Sequence, residues 1–420
     1  MFRWRRDAGQ GAGPRQEDGE HGDIARATSP QATSAAEPGM LADTALVLTG
    51  GGARAAYQVG LLVWLAKRFP DLRFPILTGV SAGAVNATYL AGHRGTFGEA
   101  ALELAELWKG LSPEQVFRVD IGWLARNLAR WGARLVAGGL TRGPRVRGLV
   151  DTTPLRETLV RALGAPDGHI TGIDYNLRRG ALKALAISAT RYATGQSVVW
   201  VQGRDVETWA RPMRRSVATT MTVDHVMASA ALPLFFPAVR VGTEYYGDGG
   251  IRQTAPLSPA LHLGARRIIA ISTRHGGADV AAHRPLVMGY PPPAQVMGVL
   301  LNAVFLDLID QDVLRLQRLN SLLAKLPEEK RDGLRIIDLL MLRPSEDLGR
   351  LAREFEPRLP GAFRTLTRGL GTREASSPDA LSMLMFQSDY LERLIEIGER
   401  DAEARRYELE AFIARVREEG

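Results

Sequence analysis

The chain is 420 residues long, 45% hydrophobic and 24% charged, with a formal net charge of +7 and no cysteine. Those values are ordinary for a globular protein of one large α/β domain or two smaller ones, and they exclude disulfides, thiol catalysis and cysteine-based metal sites. The richest apolar stretch, VLLNAVFLDLI (299–309), is broken by Asn302 and Asp307, so no membrane-spanning helix is expected. The basic N-terminus is followed by no apolar run and does not read as a signal peptide, and a cytoplasmic location is the expectation.

Residues 1–42 are rich in Gly, Ala, Pro and Ser, with mixed charge and few large apolar side chains. They cannot bury enough surface to offset the entropy of ordering and are expected to form a disordered tail. TALVLT (44–49) has the pattern of a short buried strand and runs into three glycines. ARAAYQVGLLVWLAKRF (53–69) then places Ala56, Val59, Leu62, Val63 and Ala66 at helical spacing. FPILTGVSAGAVNATYLAG (74–92) repeats the scheme: a strand, a sharp turn at Ser81, and a helix closed by Gly92. LKALAISA (182–189), SVVWV (197–201) and RIIAIS (267–272) are further strand candidates. Strands alternating with helices predict a parallel α/β sheet with helices on both faces. Beyond about residue 285 the strand signals fade. There, 291–326 reads as a long helix entered through prolines, and 377–419 as another, with Ser377 as N-cap and Pro378 in the first turn. The expected organisation is the tail (1–42), an α/β domain (43–275) and a mainly helical C-terminal region (276–420).

Three stretches carry chemistry. Gly79-Val80-Ser81-Ala82-Gly83 matches Gly-x-Ser-x-Gly, the pattern of a hydrolase nucleophile elbow. Chance supplies roughly 0.2 such matches in a chain this rich in glycine, so a plain glycine turn is a real rival. Placement between strand and helix favours the elbow. There the glycines allow a tight bend, and the helix turns free amides and its positive dipole end toward a developing anion. Gly50, Gly51 and Gly52, with Ala53 and Arg54 behind them, expose backbone N–H groups that can donate to an oxyanion. A nucleotide phosphate loop is disfavoured, because Ala55 stands where the dinucleotide fingerprint needs a glycine and no Lys-Ser/Thr follows. Arg54 reads either as the holder of an anionic head group or as a brace for the loop. Asp248, in YYGDGG (245–250), reads by itself as a turn residue.

A serine hydroxyl needs a base, and histidine is the usual one. Of His21, His93, His169, His225, His262, His275 and His283, none sits in a pattern that singles it out. Ser81, Asp248 and His262 or His275 would imitate the chain order of an α/β-hydrolase triad.

Taken together, Gly-Gly-Gly-x-Arg after the first strand (50–54), Gly-x-Ser-x-Gly (79–83) and Asp-Gly-Gly (248–250) after SAALPLFFP resemble the patatin-like phospholipases over roughly residues 43–275. VDTTPLRETL (150–159), ATRYATGQSVVW (189–200) and DYLERLIEIGERDA (389–402) are similar to stretches of bacterial members. The resemblance implies a three-layer patatin-like α/β fold with helices on both faces of the sheet, followed by the helical C-terminal extension. It also implies hydrolysis of phospholipid or lysophospholipid acyl esters by a Ser-Asp dyad without histidine. Mapped here, Ser81 is the nucleophile and Asp248 the base. Gly50, Gly51, Gly52, Ala53 and Arg54 supply the oxyanion hole, and Gly79, Gly83, Gly249 and Gly250 complete the motifs. No metal and no cofactor is expected. A carboxylate of ordinary pKa, about 4, is a weak base for a hydroxyl, which suits esters better than amides. The family usually has Gly where Ala55 stands, and alanine fits there if the position is already helical.

The expected partner is a lipid or membrane surface rather than nucleic acid. Residues 118–150 carry seven arginines against the single Asp120, a patch that by itself favours any anionic partner, whether a lipid surface, nucleic acid or an acidic protein. Within them, GWLARNLARWGARLVAGG (122–139) sets Leu124, Leu128, Trp131 and Leu135 on one stripe and Arg126, Arg130 and Arg134 on another. That is the form of a basic helix lying in a headgroup layer, making a peripheral membrane contact, or equally of an ordinary helix covering the core. Two rival functions stand beside the dyad hydrolase: a non-catalytic lipid-binding or regulatory protein that keeps the fold, and an α/β-hydrolase esterase with a histidine triad.

Overall fold

The computed structural model describes residues 43–118, 148–276, 293–305, 308–359 and 379–419. The expected tail (1–42) and the basic helix (122–139) lie outside the described residues. The strands are β1 (Thr44–Leu48), β2 (Ile76–Val80), β3 (Ala184–Arg191), β4 (Gln196–Gly203) and β5 (Ala210–Arg211). They continue with β6 (Arg214–Ala218), β7 (Val239–Val241), β8 (Glu244–Asp248), β9 (Arg267–Ile271) and β10 (Asp338–Leu342). Together they form one sheet in the order β10-β9-β1-β2-β3-β4-β6-β5, with β8 hydrogen-bonded to both β3 and β7.

From β10 to β3 every neighbour is parallel, as the alternation of strands and helices predicts. The expectation of a wholly parallel sheet fails at β4, which runs antiparallel to β3. Only the turn 192–195 separates these two strands, and Gly195 bends it at φ 65°. A parallel return would need a crossover of about a dozen residues or more.

The helices of the first half are α1 (Ala56–Arg68), α2 (Ala82–Gly92), α3 (Phe97–Lys109), α4 (Pro113–Val116), α5 (Thr153–Ala162), α6 (Thr171–Arg178) and α7 (Val223–Ser229). Those of the second half are α8 (Ser258–His262), α9 (Pro293–Phe305), α10 (Leu308–Leu323), α11 (Leu348–Phe355), α12 (Asp379–Leu384), α13 (Ser388–Ala404) and α14 (Arg406–Glu419). Because side chains alternate along a strand, β1 sends Leu46 and Leu48 to one face of the sheet and Ala45 and Val47 to the other. The first face is covered by α1, α2, α3 and α13. The second is covered by Leu257 and Ala260 around α8 and by Ile309, Val313 and Leu316 of α10. Three layers result. None of the described helices is long and apolar enough to cross a membrane.

The C-terminal region is mostly helical, but the expectation that strands end near residue 285 is wrong: β10 extends the sheet beyond β9. Its sequence, DLLML, contains no β-branched residue, and a short Leu/Met run is ambiguous between helix and strand until pairing decides. The helices expected over 291–326 and 377–419 form in pieces, as α9 with α10 and as α12 to α14.

Helix α1 shows why these segments belong to one core. Its sequence reads as a single apolar stripe, yet Ala56–Ala66 is buried all round because α13 lies across its outer side. Gly60 and Gly398 let the two backbones touch: a methyl on Gly60 would stand 2.0 Å from the Ile395 carbonyl, and one on Gly398 would stand 2.3 Å from that of Tyr57. At an open helical site glycine-to-alanine stabilises by about 0.5–1 kcal/mol. Gly60→Ala is instead expected to destabilise by about 1–3 kcal/mol, as an overpacked core does, and urea unfolding checks the sign.

Candidate active site

Strand β2 lies in register between β1 and β3, with Gly79 opposite Leu48 and Val80 opposite Ser188. The chain leaves the sheet at Ser81, with φ 56° and ψ −131°, and passes straight into α2. A serine in that region is strained by about 1–3 kcal/mol. Its neighbours hold it there. The Ser81 amide donates to Ser229 Oγ at 3.1 Å, and that hydroxyl donates to the Ser188 carbonyl at 2.7 Å. The Ser81 carbonyl accepts from the amides of Ala84 and Val85 at 2.9 and 3.3 Å. Both flanking glycines are needed for close approach: a methyl on Gly79 would stand 2.5 Å from the Gly83 carbonyl, and one on Gly83 would stand 2.3 Å from that of Leu48. The result is a strained strand-to-helix turn with close backbone approach on both sides of the serine.

Asp248 reaches the same place through the sheet. Strand β2 pairs with β3 as far as Ser188, and the antiparallel β8 takes over at Ala189, which faces Asp248. The ends of β2 and β8 therefore meet along β3, and Ser81 and Asp248 come together at the join. Asp248 closes a strand rather than sitting in a hairpin turn, and it caps the short 3-10 turn Gly249–Arg252. A methyl on Gly249 would stand 2.2 Å from the Ser188 carbonyl. The Asp248 amide donates to the Ala231 carbonyl at 3.0 Å, and its carbonyl accepts from Thr190 Oγ1 at 2.8 Å. Oδ1 accepts from the Gly250 amide at 2.8 Å. Oδ2 has no hydrogen bond of good geometry, although the Ser81 hydroxyl lies close enough to stabilise the carboxylate. The side chain is fully buried, and this desolvation pushes its pKa up to about 7 against the opposing effects of Ser81 and Gly250. The ordinary carboxylate pKa expected from sequence does not hold here.

The glycine run follows β1 and lies flush against the elbow, so that a methyl on Gly50 would stand 3.0 Å from Ser81 Cβ and 3.7 Å from Oγ. Gly51 and Gly52 adopt φ 147° and 58°, and Gly52–Ala55 forms a 3-10 turn leading into α1. Ala55 has φ −67° and ψ −12°, so alanine fits where the family has glycine. The Arg54 amide is committed to the Gly51 carbonyl at 3.2 Å. The Arg54 side chain is a brace: it is buried, paired with Asp379 and bonded to Ser382 Oγ.

Sequence reasoning missed the residues that hold this loop from outside. Thr273 Oγ1 donates to the Gly50 carbonyl at 2.7 Å. Gln58 Nε2 donates to the Thr49 carbonyl at 2.8 Å, and its Oε1 accepts from Asn86 Nδ2 at 3.0 Å. Asn86 also reaches the Ala55 carbonyl at 3.2 Å and accepts from Trp108 Nε1 at 2.9 Å. Buried polar residues within apolar helices were the one available signal for Gln58 and Asn86.

No histidine of the described residues is a partner of Asp248. His262 stacks on Trp209, the His275 ring bonds the Pro344 carbonyl, His93 pairs with Glu103, and His225 bonds Thr222 within its own helix cap. Burial lowers the His225 pKa to about 4. His169 is exposed, and His21 and His283 lie outside the described residues.

Ser81, Gly51 and Gly52 open onto a cavity of about 390 Å³ whose wall is chiefly apolar, including Val85, Leu104, Trp108, Leu159, Phe236 and Leu384. Leu384, with Met383 and Phe386, comes from the C-terminal region. Asp248 is not among the described lining residues and lies behind Ser81.

A carboxyl group with a raised pKa keeps, in the native state, a proton that the unfolded chain has already released between about pH 4 and pH 7. Its contribution to stability is greatest below the unfolded pKa and falls as pH rises through that window, by about 4 kcal/mol in all. Asp248→Asn is expected to remove this fall, raising Tm relative to wild type above pH 7 and leaving it close to wild type at pH 4. Thermal melts across pH 4–8 read the difference.

A profile described as patatin-like phospholipase matches residues 46–261, just over half of the chain. The cGAMP-activated phospholipase of Pseudomonas aeruginosa is 29% identical over 258 residues, which cover 58% of this chain and 66% of that protein, just under two thirds of its length. Among solved structures, human GIVD cytosolic phospholipase A2 superposes with a TM-score of 0.45 at 12% identity, over 89% of this chain and 60% of the other. VipD from Legionella pneumophila superposes with a TM-score of 0.30 at 14% identity, over 82% and 66%. Overlays this loose carry no argument, whereas the profile takes in the glycine loop, the elbow and Asp248. The chain belongs to the patatin-like phospholipase family.

Proposed function

We propose that the protein is a serine acyl hydrolase that cleaves carboxylic esters of phospholipids or lysophospholipids, with Ser81 as nucleophile and Asp248 as its base. One observation carries this reading: a strained serine opening onto an apolar cavity has behind it a fully buried carboxylate, with the Ser81 hydroxyl close enough to stabilise it. With its pKa near 7, that carboxylate is a far better base than an exposed aspartate.

In the first step Ser81 Oγ bonds to the ester carbonyl carbon as its proton passes to Asp248. The negative charge that forms on the carbonyl oxygen is received by amides of the glycine loop, where Gly51 and Gly52 line the cavity beside Ser81. Collapse breaks the bond to the leaving alcohol, which takes the proton from Asp248 and leaves an acyl group on Ser81. Water then attacks that ester while Asp248 takes a proton from it, and Ser81 recovers the proton as the fatty acid departs. The apolar cavity suits the acyl chain, and the polar head group stays outside. The work is done at a lipid surface by a chain expected in the cytoplasm.

Ser81→Ala is expected to lower kcat for acyl-ester hydrolysis by about 10³-fold or more, and Asp248→Asn by a similar factor. His262→Ala and His275→Ala should remain near wild type, and kcat/KM should rise with pH through a midpoint at about 7. An active Ser81→Ala enzyme contradicts the reading. A silent Asp248→Asn with a dead histidine variant replaces it by a triad. A wild-type protein that cleaves no ester and takes no fluorophosphonate is a binding protein.

A further inference from the structure

Resting on the acyl-hydrolase reading, we infer that the buried Arg54–Asp379 ion pair positions the oxyanion loop, which makes α12 a working part of the catalytic site. Arg54 stands two residues beyond Gly52 in the same 3-10 turn, and its side chain is only 4% exposed. One guanidinium nitrogen pairs with Asp379 Oδ1, and Nε donates to Ser382 Oγ at 2.6 Å. Both acceptors belong to α12, and Ser382 Oγ also donates to the Asp379 carbonyl at 2.7 Å. The other Asp379 oxygen accepts from Asn302 Nδ2 of α9 at 2.6 Å, which ties the acceptor end of the pair to a second helix. The fork of Arg54 is thus held from two directions by groups that are themselves held.

A backbone contact runs alongside the pair. A methyl on Gly52, where φ is 58°, would stand 2.1 Å from the Met383 carbonyl, so α12 lies directly against the loop. Gly51, Gly52, Met383 and Leu384 all line the cavity that holds Ser81. The distance between the loop amides and Ser81 is therefore set on one side by Thr273 and on the other by α12.

A buried ion pair contributes little net stability, since desolvation offsets most of the attraction. What a guanidinium fork held by fixed acceptors does supply is direction. Direction is what an oxyanion hole needs: loss of one donor slows catalysis by about 10²–10³-fold, and misplacement by about 1 Å by about 10²-fold. The same contacts occupy Arg54, which makes it a positioning residue rather than a head-group ligand.

Labelling with a small fluorophosphonate separates position from folding. The final fraction labelled counts folded sites, and the rate constant per labelled site reports the loop, because the phosphonyl oxygen uses the same amides. The variants are Asp379→Asn, Arg54→Lys, and the double variant Arg54→Met with Asp379→Leu, which strands no buried charge. All three are expected to label about 10–100-fold more slowly per site. kcat on a short soluble aryl ester should fall in parallel with KM little changed, and Asp379→Glu should recover part of the rate. Since each rate is taken per labelled site, any folded fraction suffices. Variants that label fewer sites at the wild-type rate per site overturn the inference and leave the pair a purely structural brace. A Ser81→Ala protein that still labels overturns the hydrolase reading beneath it.

Discussion

One edge of β3 is divided between two strands. β2 runs along it to Val80, and β8 arrives from the opposite direction and ends at Asp248. A strand edge can be occupied only once, so the chain of β2 must leave the sheet where that of β8 enters. Ser81 makes that exit at positive φ, and Asp248 is sealed behind it. Backbone approaches closely on every side of this join. Gly79, Gly83 and Gly249 are glycines because a backbone carbonyl, of Gly83, Leu48 and Ser188 in turn, lies within 2.5 Å of where each Cβ would stand. Ser229 is placed to take the amide of a residue that no longer has a strand partner.

The arrangement stores free energy in two forms, a strained backbone at Ser81 and a carboxyl group held away from water. Each lowers stability by an amount that matters in a domain stable by about 5–15 kcal/mol. The surrounding packing is built to withstand it. Helix α1 is enclosed between the sheet and α13, and the chain Trp108–Asn86–Gln58 satisfies buried polar groups on both sides of the glycine loop. Stability given up at a site and recovered in the core is the usual relation between activity and folding. Segments far from the motifs share in that packing: α12 lies against the glycine loop and α13 against α1.

The three motifs were legible because each marks a local backbone event that leaves glycine in the sequence. Singly they were weak, and in order, with strand and helix around them, they pointed to one site. β1, α1, β2, α2 and β9 were legible from apolar runs and spacing. The direction of β4 and the existence of β10 were not, because pairing rather than propensity decides them. The state of Asp248 could not be read either, since its raised pKa comes from burial by residues distant in the chain. The same holds for Thr273 on Gly50, 223 positions away, and for Asp379 on Arg54, 325 positions away. No periodicity records contacts of that range. The Ala55 departure from the family pattern was resolvable in advance, because a helical φ asks nothing of glycine.

The central claim is that Ser81 becomes acylated with the carboxylate of Asp248 as the acceptor of its proton. The most direct measurement is to mix the wild-type protein with a phospholipid of known acyl composition, quench in acid within the first turnovers, and map the covalent adduct by peptide mass spectrometry. The account predicts one acyl mass on the peptide that contains Ser81, forming faster as pH rises through about 7 and absent when Asp248 is replaced by asparagine. An acyl group found on another residue, or ester cleavage with no covalent intermediate on Ser81, would contradict it.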